Sequence, residues 1–247
     1  MEKTKNSALC GFFAYTEEEA LARYVGRSIA KTERRKALAD SFPTGVRSLS
    51  SRQSVGLSGA DAIADEFFGW FDEPITEAQS QELLLGLVDF IAANGPFQGL
   101  MGFSEGGMVA AMLLAEDARE PFADFRCGIF LSTGPTLDPA GIREEPVTLR
   151  CLDPAVDGVV IRVPTAHIVG SNEPFARLLK LSPLADLLSG MGDPEKLHQR
   201  LFQLCDDKER ELFAHQLGHE VPGARSPEGL SGALSVIERT IERAESR

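Results

Sequence analysis

The sequence is poor in the residues that build metal sites and disulfide-rich scaffolds. It holds four cysteines, at Cys10, Cys127, Cys151 and Cys205, and none of them belongs to a CxxC pair. Structural zinc sites and dense disulfide frameworks both require closely spaced cysteines. Neither is therefore predicted, and the four thiols are expected to be reduced.

Positive charge and long apolar runs are also scarce. The 25 lysines and arginines are outnumbered by 37 acidic residues, which leaves a net charge of −12. Binding to nucleic acid or to an anionic membrane surface depends on clustered Lys and Arg, so neither partner is expected. No stretch reaches the ~18 consecutive apolar residues of a membrane span, and residues 1–7 lack the apolar segment of a signal peptide. We therefore expect a cytoplasmic protein.

The chain nevertheless has enough apolar residues to bury a core. Its 247 residues are 43% hydrophobic, and a single core supports up to about 250–300 residues. No internal repeat or low-complexity segment divides the sequence. One domain covering residues 1–247 is the expectation.

Hydrophobic periodicity predicts strands and helices that alternate along the chain. Helices are predicted from Thr16, where Glu19 completes a capping box, into the 30s, and then over residues 77–93, 105–118, 174–188, 194–205 and 229–244. Short apolar runs predict buried strands over residues 97–103, 127–131, 159–169 and 211–214. Residues 41–69, rich in Gly and Ser, are expected to form a loop with at most one short strand near Val46. The alternation indicates an α/β fold whose mostly parallel, doubly wound sheet has helices on both faces.

A serine lies at the junction of a predicted strand and a predicted helix. Residues 102–106, Gly-Phe-Ser-Glu-Gly, match the pattern GxSxG, which in this context holds a nucleophilic serine on a strained turn above the sheet. A bare GxSxG also occurs in loops where the serine only caps a helix, so the flanking strand and helix carry the inference. We expect Ser104 to be a nucleophile, and we expect the backbone N–H of Glu105, at a helix N-terminus, to face a developing oxyanion.

A serine nucleophile needs a general base, and the sequence has four histidines. His219 follows a short predicted strand and precedes the last predicted helix, which is the position of the histidine in a doubly wound hydrolase. His215, four residues earlier, is the alternative base. His167 is expected to be a buried strand residue, and His198 is expected on a solvated helix face.

The third member of such a site is a carboxylate that orients the imidazole. In this fold it follows the strand before the histidine's strand, and Glu173 is the first acidic residue after the strand predicted at 159–169. The chain order Ser104, Glu173, His219 is the order found in α/β-hydrolases. Four other acids stay open as alternatives: Asp186, Asp193, Asp206 and Asp207.

Several of these segments together resemble one family of serine hydrolases, the FSH family. Residues 95–107, Gly-Pro-Phe-Gln-Gly-Leu-Met-Gly-Phe-Ser-Glu-Gly-Gly, resemble its nucleophile segment, residues 164–173 its acid-bearing strand and loop, and residues 218–222 its histidine loop. Phe68-Gly-Trp70 lies where such proteins carry a Trp-containing loop. The resemblance covers residues 65 to 240. It implies an α/β-hydrolase fold and hydrolysis of an ester or thioester of a small acyl substrate, with no cofactor and no metal.

The chain departs from the family pattern in two places. Glu173 stands where the family usually has Asp, a change that leaves a carboxylate able to orient the histidine. The family opens with a strand that ends in a Leu-His-Gly turn, whose backbone supplies the second oxyanion donor. Here residues 8–15 contain no His-Gly, so a backbone N–H of Gly11, Phe12 or Phe13 must take that role, and we select Phe12.

This departure keeps two other functions open. One is a catalytically weak or inactive relative that binds a small molecule or a partner protein in the same pocket. The other is a non-hydrolytic α/β binding protein in which the three residues fall in order by chance. Labelling by a fluorophosphonate probe, which requires an activated serine, distinguishes both from a working hydrolase.

Overall fold

Strands and helices alternate along the chain from residue 66 onward. The structure, a computed structural model, describes residues 7–9, 12–15, 47–49, 66–71, 74–180 and 182–247. The strands in these residues are β1 (Ser7–Leu9), β2 (Phe12–Tyr15), β3 (Arg47–Leu49), β4 (Glu66–Gly69), β5 (Gly99–Phe103), β6 (Cys127–Leu131), β7 (Thr165–Gly170) and β8 (Arg210–His215). The helices are α1 (Glu77–Asn94), α2 (Glu105–Arg119), α3 (Pro139–Arg143), α4 (Pro154–Asp157), α5 (Phe175–Leu179), α6 (Ala185–Ser189), α7 (Leu197–Leu204) and α8 (Pro227–Glu245), with a 3-10 turn at Pro194–Lys196.

The strands of the described residues pair into two sheets. The larger sheet has the order β2-β5-β6-β7-β8, and the smaller has the order β1-β4-β3. Strands β5, β6, β7 and β8 run parallel to one another, whereas β2 runs antiparallel to β5. The predicted mostly parallel sheet is confirmed.

Helices cover both faces of the larger sheet. Alternate side chains of a strand point to opposite faces, and in β6 Phe130 belongs to the core on the side of α2, while Ile129 and Leu131 pack in the core that includes α8. All five residues of β6 are buried. This central strand is covered on both sides, as expected for a doubly wound sheet.

The longest predicted elements agree with the structure. Helix α1 begins at Glu77 after Thr76, whose hydroxyl accepts a hydrogen bond from Gln79 N–H, and ends before Gly95. Strand β6 has the predicted bounds, and α2 and α8 differ from the predicted ranges by one to two residues. Apolar residues at helical spacing and a Gly-Pro stop are strong local signals.

Other predicted elements are wrong in extent. The strand predicted at 159–169 is confined to β7, because Pro164 cannot donate to a strand ladder. The helix predicted at 174–188 is divided into α5 and α6, with Pro183 between them, because proline disfavours a helical residue before it. Residues 41–69, predicted to form a loop with at most one strand, contain both β3 and β4.

The beginning of the chain also differs from the expectation of one weakened strand over residues 8–15. Strand β1 belongs to the smaller sheet and β2 to the larger one. The helix predicted from Thr16 lies outside the described residues. Among the helices that the structure does describe, none combines the length and apolar character needed to cross a bilayer.

Candidate active site

Ser104 lies on a strained turn between β5 and α2. Its backbone has φ 55° and ψ −123°, a conformation that costs energy for a residue with a side chain. The Ser104 N–H donates to the carbonyl of Leu131, at the end of the neighbouring strand, over 2.9 Å. A Cβ atom on Gly102 would overlap the backbone of Gly106 and Gly107. Glycine at 102 therefore allows the strand and the helix to approach each other this closely.

His219 lies beside the serine hydroxyl. Its Nε2 is 2.9 Å from Ser104 Oγ. The His219 ring packs against the ring of Phe103, the residue before the serine, with centroids 4.9 Å apart. The ring contact limits the orientations open to the imidazole.

Glu173 completes a chain of hydrogen bonds through the same imidazole. Its Oε2 is 3.0 Å from His219 Nδ1, and its Oε1 accepts from the N–H of Gly170 over 2.7 Å. The Glu173 side chain has no exposed area and that of His219 is 15% exposed. The structure thus brings Ser104, His219 and Glu173 into one hydrogen-bonded series.

The pKa of Glu173 lies below the ordinary value of a glutamate. Burial raises this pKa, but hydrogen bonds from His219, Ser132 and the Gly170 backbone together lower it further. Glu173 is therefore held as a carboxylate, the state that accepts a hydrogen bond from an imidazole N–H.

Backbone hydrogen bonds join the loop that carries Glu173 to the loop that carries His219. Ser171 N–H donates to the carbonyl of His215, and Asn172 N–H donates to that of Leu217. A Cβ atom on Gly170 would overlap the carbonyl oxygens of Leu217 and Gly218. The two loops can meet only because residue 170 is a glycine, a requirement that no sequence motif indicates.

The two backbone groups predicted to hold an oxyanion lie near the serine. Glu105 is the first residue of α2, and within the described ranges its N–H has no hydrogen-bond acceptor. Phe12 is opposite Gly102 in the pairing of β2 with β5, which places its backbone two residues before Ser104 along that strand. Gly11 lies outside the described residues.

The other three histidines are not hydrogen-bonded to the serine. His215 is buried, and its Nδ1 accepts from Leu217 N–H. His167 is buried in β7, bonds to Thr165 and has its pKa lowered to about 3 by burial, in agreement with the prediction. His198 is half-buried and stacks on Phe175, so the expected solvated helix face is wrong.

The alternative acids have other roles. Asp193 accepts from Glu195 N–H and Asp206 accepts from Lys208 N–H, both in local turns, while Asp186 and Asp207 are exposed. Within the described part of the chain, no group of three or more His, Cys, Asp or Glu side chains is arranged to hold a metal ion.

The strand order and the position of the serine define the class of protein. Parallel strands with helices on both faces, and a serine raised on a positive-φ turn directly after one of those strands, are the features of the α/β-hydrolase fold. The sequence match then gives the family. The family described as Serine hydrolase (FSH1) matches residues 2–228, and the chain belongs to this family, which confirms the resemblance inferred from the motifs.

Curated relatives and solved structures are similar to the chain over part of its length. It is 31% identical over 160 residues to Esterase FPY3 of Fusarium mangiferae, a match covering 64% of this chain and 63% of that protein. It is 30% identical over 161 residues to Hydrolase phiM of Talaromyces stipitatus, covering 62% of this chain and 54% of that one. The chain thus spans less than two thirds of the length of both relatives. A solved carboxylesterase structure from Mesorhizobium loti is similar with a TM-score of 0.34 and 17% identity, covering 73% of this chain and 77% of that one.

Proposed function

We propose that this protein is a serine hydrolase that cleaves an ester or thioester of a small acyl substrate through an acyl-enzyme intermediate. The observation that carries the proposal is the continuous series of hydrogen bonds from Ser104 through His219 to Glu173. A serine hydroxyl is a weak nucleophile unless an adjacent base removes its proton. The series supplies that base and an anion that orients it.

In the first half of the reaction, Ser104 Oγ attacks the carbonyl carbon of the substrate while His219 Nε2 takes the hydroxyl proton. The imidazolium that forms is stabilised by the Glu173 carboxylate at Nδ1. His219 then returns the proton to the leaving alcohol or thiol. In the second half, the same imidazole activates a water molecule, which releases the acyl group and restores the serine.

The tetrahedral intermediate carries a negative charge on the former carbonyl oxygen. We assign the Glu105 N–H as one donor to this oxygen, because it is at the N-terminus of α2 and has no acceptor within the described residues. The backbone of Phe12 is the second candidate, since β2 places it beside the end of β5. Each such donor contributes about 10²–10³ to kcat in comparable enzymes.

Membership of a serine hydrolase family supports hydrolysis of a small-molecule ester, and the two relatives are named an esterase and a hydrolase. The choice between an ester and a thioester is part of the proposal. A panel of p-nitrophenyl esters and acyl thioesters of graded chain length would distinguish the two and define the acyl group.

The central test replaces the nucleophile and the base singly and together. Ser104→Ala and His219→Ala should each lower kcat by several orders of magnitude, and the double variant should be little worse than either, because the residues act as a unit. A fluorophosphonate probe should label the wild type and not Ser104→Ala. His215→Ala is the matched control and should keep kcat within a few-fold of the wild type.

Two results would overturn the proposal. If Ser104→Ala keeps turnover near that of the wild type, another group is the nucleophile. If the folded wild type neither reacts with the probe nor hydrolyses any substrate of the panel, the alternative of an inactive relative that binds a small molecule or a partner is supported instead.

A further inference from the structure

The side chain of Glu105 makes a contact that the hydrolytic mechanism does not use. Its Oε2 accepts a hydrogen bond of 2.9 Å from the backbone N–H of Trp70, 35 residues earlier in the chain. The backbone N–H of the same Glu105 is the proposed oxyanion donor. One residue therefore carries both the donor and a tie to a distant segment.

The Trp70 segment, defined as residues 66–70, is held in place by other parts of the fold. Trp70 directly follows β4, and its residue is only 2% exposed. Its carbonyl oxygen accepts from Gln79 Nε2 over 3.4 Å, and Gln79 is itself buried in α1. The backbone of Trp70 is thus bonded on its N–H side to α2 and on its C=O side to α1. Through β4 the same segment continues into the smaller sheet.

The first turn of α2 packs closely against Gly102 of β5, but it lacks the side-chain cap of an ordinary helix. Ser104 makes no side-chain capping bond to the helix, because its hydroxyl is engaged with His219 instead. A helix whose N-cap side chain is used for chemistry loses the usual restraint on its first residues. Displacements of about 1 Å in a catalytic group can cost ~10²-fold in rate, so an oxyanion donor at this position needs another restraint.

We propose that Glu105 is a positioning residue, whose carboxyl group holds the first turn of α2 against the Trp70 segment and thereby fixes the direction of its own backbone N–H. This inference rests on the proposed function for the role of that N–H, but the tie to Trp70 stands independently of it. The carboxyl group acts as an acceptor, so an amide oxygen at the same position can replace it.

The charge of Glu105 has a second effect on the same oxyanion. Burial raises the pKa of Glu105 to about 7, against a smaller opposite effect of the Trp70 N–H. A neutral carboxyl group still accepts the hydrogen bond, whereas a carboxylate adds negative charge to the same residue whose N–H faces the developing oxyanion. Ionisation should therefore oppose formation of the intermediate.

Within the described ranges, few other titratable groups lie near this end of α2. The described elements that pack most extensively on α2 are β2, β5, β6 and α3. Strand β5 has no titratable residue, Tyr15 of β2 pairs with Gly99 at the far end of β5, and Cys127 begins β6. Arg143 of α3 pairs with Glu116, three turns along α2. Among the described residues, His219 and Glu173 are ionisable groups on the side of Ser104. His215 and His198 lie close enough to Glu173 for its charge to raise their pKa values against the larger effect of burial.

Kinetics of two substitutions test the positioning role. Glu105→Ala removes the acceptor and should lower kcat by about 10–100-fold with KM changed less than three-fold, since a transition-state contact is disturbed. Glu105→Gln should restore most of that loss at pH 6. Above pH 7 the ratio of kcat in Glu105→Gln to kcat in the wild type should rise, because only the wild type acquires the charge. Glu77→Ala, at the equivalent first position of α1 and exposed, is the matched control and should match the wild type throughout.

Fluorescence gives a readout that needs no turnover. Trp70 is the single tryptophan of the chain, and indole emission responds to nearby charge. The wild-type emission should titrate with a midpoint near pH 7, and this transition should be absent from Glu105→Gln and present in Glu77→Ala. In Glu105→Ala, circular dichroism should show an intact fold while the Trp70 emission maximum shifts.

The outcomes separate this inference from the proposed function. If hydrolysis is absent but the Trp70 emission still titrates in a Glu105-dependent way, the proposed hydrolase function is refuted while the hydrogen bond between Glu105 and Trp70 is supported. Hydrolysis that is unaffected by Glu105→Ala, or an emission titration that persists in Glu105→Gln, would overturn the positioning role and leave the hydrolase intact. Loss of kcat in Glu105→Ala that Glu105→Gln does not recover would also contradict it, because the acceptor would then not be the cause.

Discussion

Glu173 is the residue at which charge and geometry are most closely linked. It accepts one hydrogen bond from a fixed backbone N–H and faces the imidazole of His219 with its other oxygen. Glutamine is the same size, but the N–H of Gly170 needs an oxygen acceptor. The amide oxygen of the substituted side chain would therefore face Gly170, and its NH₂ group would face His219 Nδ1 and stabilise the wrong imidazole tautomer. Glu173→Gln should lower kcat by about 10³–10⁴-fold, measured in steady-state hydrolysis of an activated ester.

Two further variants test whether the position of the Glu173 carboxylate matters as well as its charge. Glu173→Asp keeps the carboxylate on a shorter side chain and should retain partial activity. Asp206→Asn removes an acid of the next loop whose oxygen bonds only locally, to Lys208 N–H, and should leave kcat within a few-fold. If Glu173→Gln keeps near wild-type activity while Asp206→Asn loses most of it, the catalytic acid is Asp206 and the assignment of Glu173 is wrong.

At the scale of the elements, the loop after β7 and the loop after β8 are joined to each other by backbone contacts. The sequence places Glu173 and His219 46 residues apart, and the parallel pairing of β7 with β8 brings the ends of both strands to one edge of the sheet. Gly170 ends β7 at the point where the two loops touch. The contact is made by backbone atoms, so a side chain at 170 cannot be accommodated by a rotamer change.

Gly170→Ala should therefore push the histidine loop away from the acid loop. We expect kcat to fall at least about 10-fold and the free energy of unfolding to fall by about 1–3 kcal/mol, as for other overpacked sites. Gly218→Ala is the matched control, because its Cβ would meet only the carbonyl of Asn172 at an ordinary contact distance of 3.6 Å. Equal effects of the two substitutions in kinetics and thermal unfolding would contradict the role given to Gly170.

The same elements show why some features could be predicted and others could not. The elbow at Ser104 was predictable because a buried strand, a GxSxG motif and an apolar helix each give a local signal. Glu173 and His219 were predictable as candidates because chain order fixes which strand end carries each. The closeness of Gly170 to Gly218 and the bond from Trp70 to Glu105 arise from tertiary contacts, which leave no periodic pattern. Strands of three or four residues, such as β3 and β4, are too short to show alternation.

For the molecule as a whole, the buried Glu105 makes stability depend on pH. Its pKa is about 7 in the folded protein, whereas an unfolded chain gives about 4.3. Between these values the folded state holds a proton that the unfolded state has lost, so the free energy of unfolding falls as pH rises toward 7 and then levels off. The contribution amounts to up to about 4 kcal/mol, taking about 1.4 kcal/mol per pKa unit.

Glu105→Gln lacks this dependence. The difference in Tm between this variant and the wild type should therefore grow in favour of the variant from pH 5 to pH 8, as measured by calorimetry. Glu77→Gln, at an exposed position of α1, should follow the wild type over the same range. A Tm difference for Glu105→Gln that stays constant across these pH values would show that Glu105 ionises alike in the folded and unfolded chain.

The bonds between the loop of Glu173 and the loop of His219 also have a consequence for local opening. The amide of Ser171 donates to the carbonyl of His215, the last residue of β8, and the amide of Asn172 donates to the carbonyl of Leu217 in the loop that follows. Neither amide can exchange with solvent deuterium unless the acid loop separates from this part of the chain. Regions that open together exchange with the same free energy. These two amides should therefore share one opening free energy in hydrogen exchange, and that value measures how often Glu173 and His219 are separated in the folded protein.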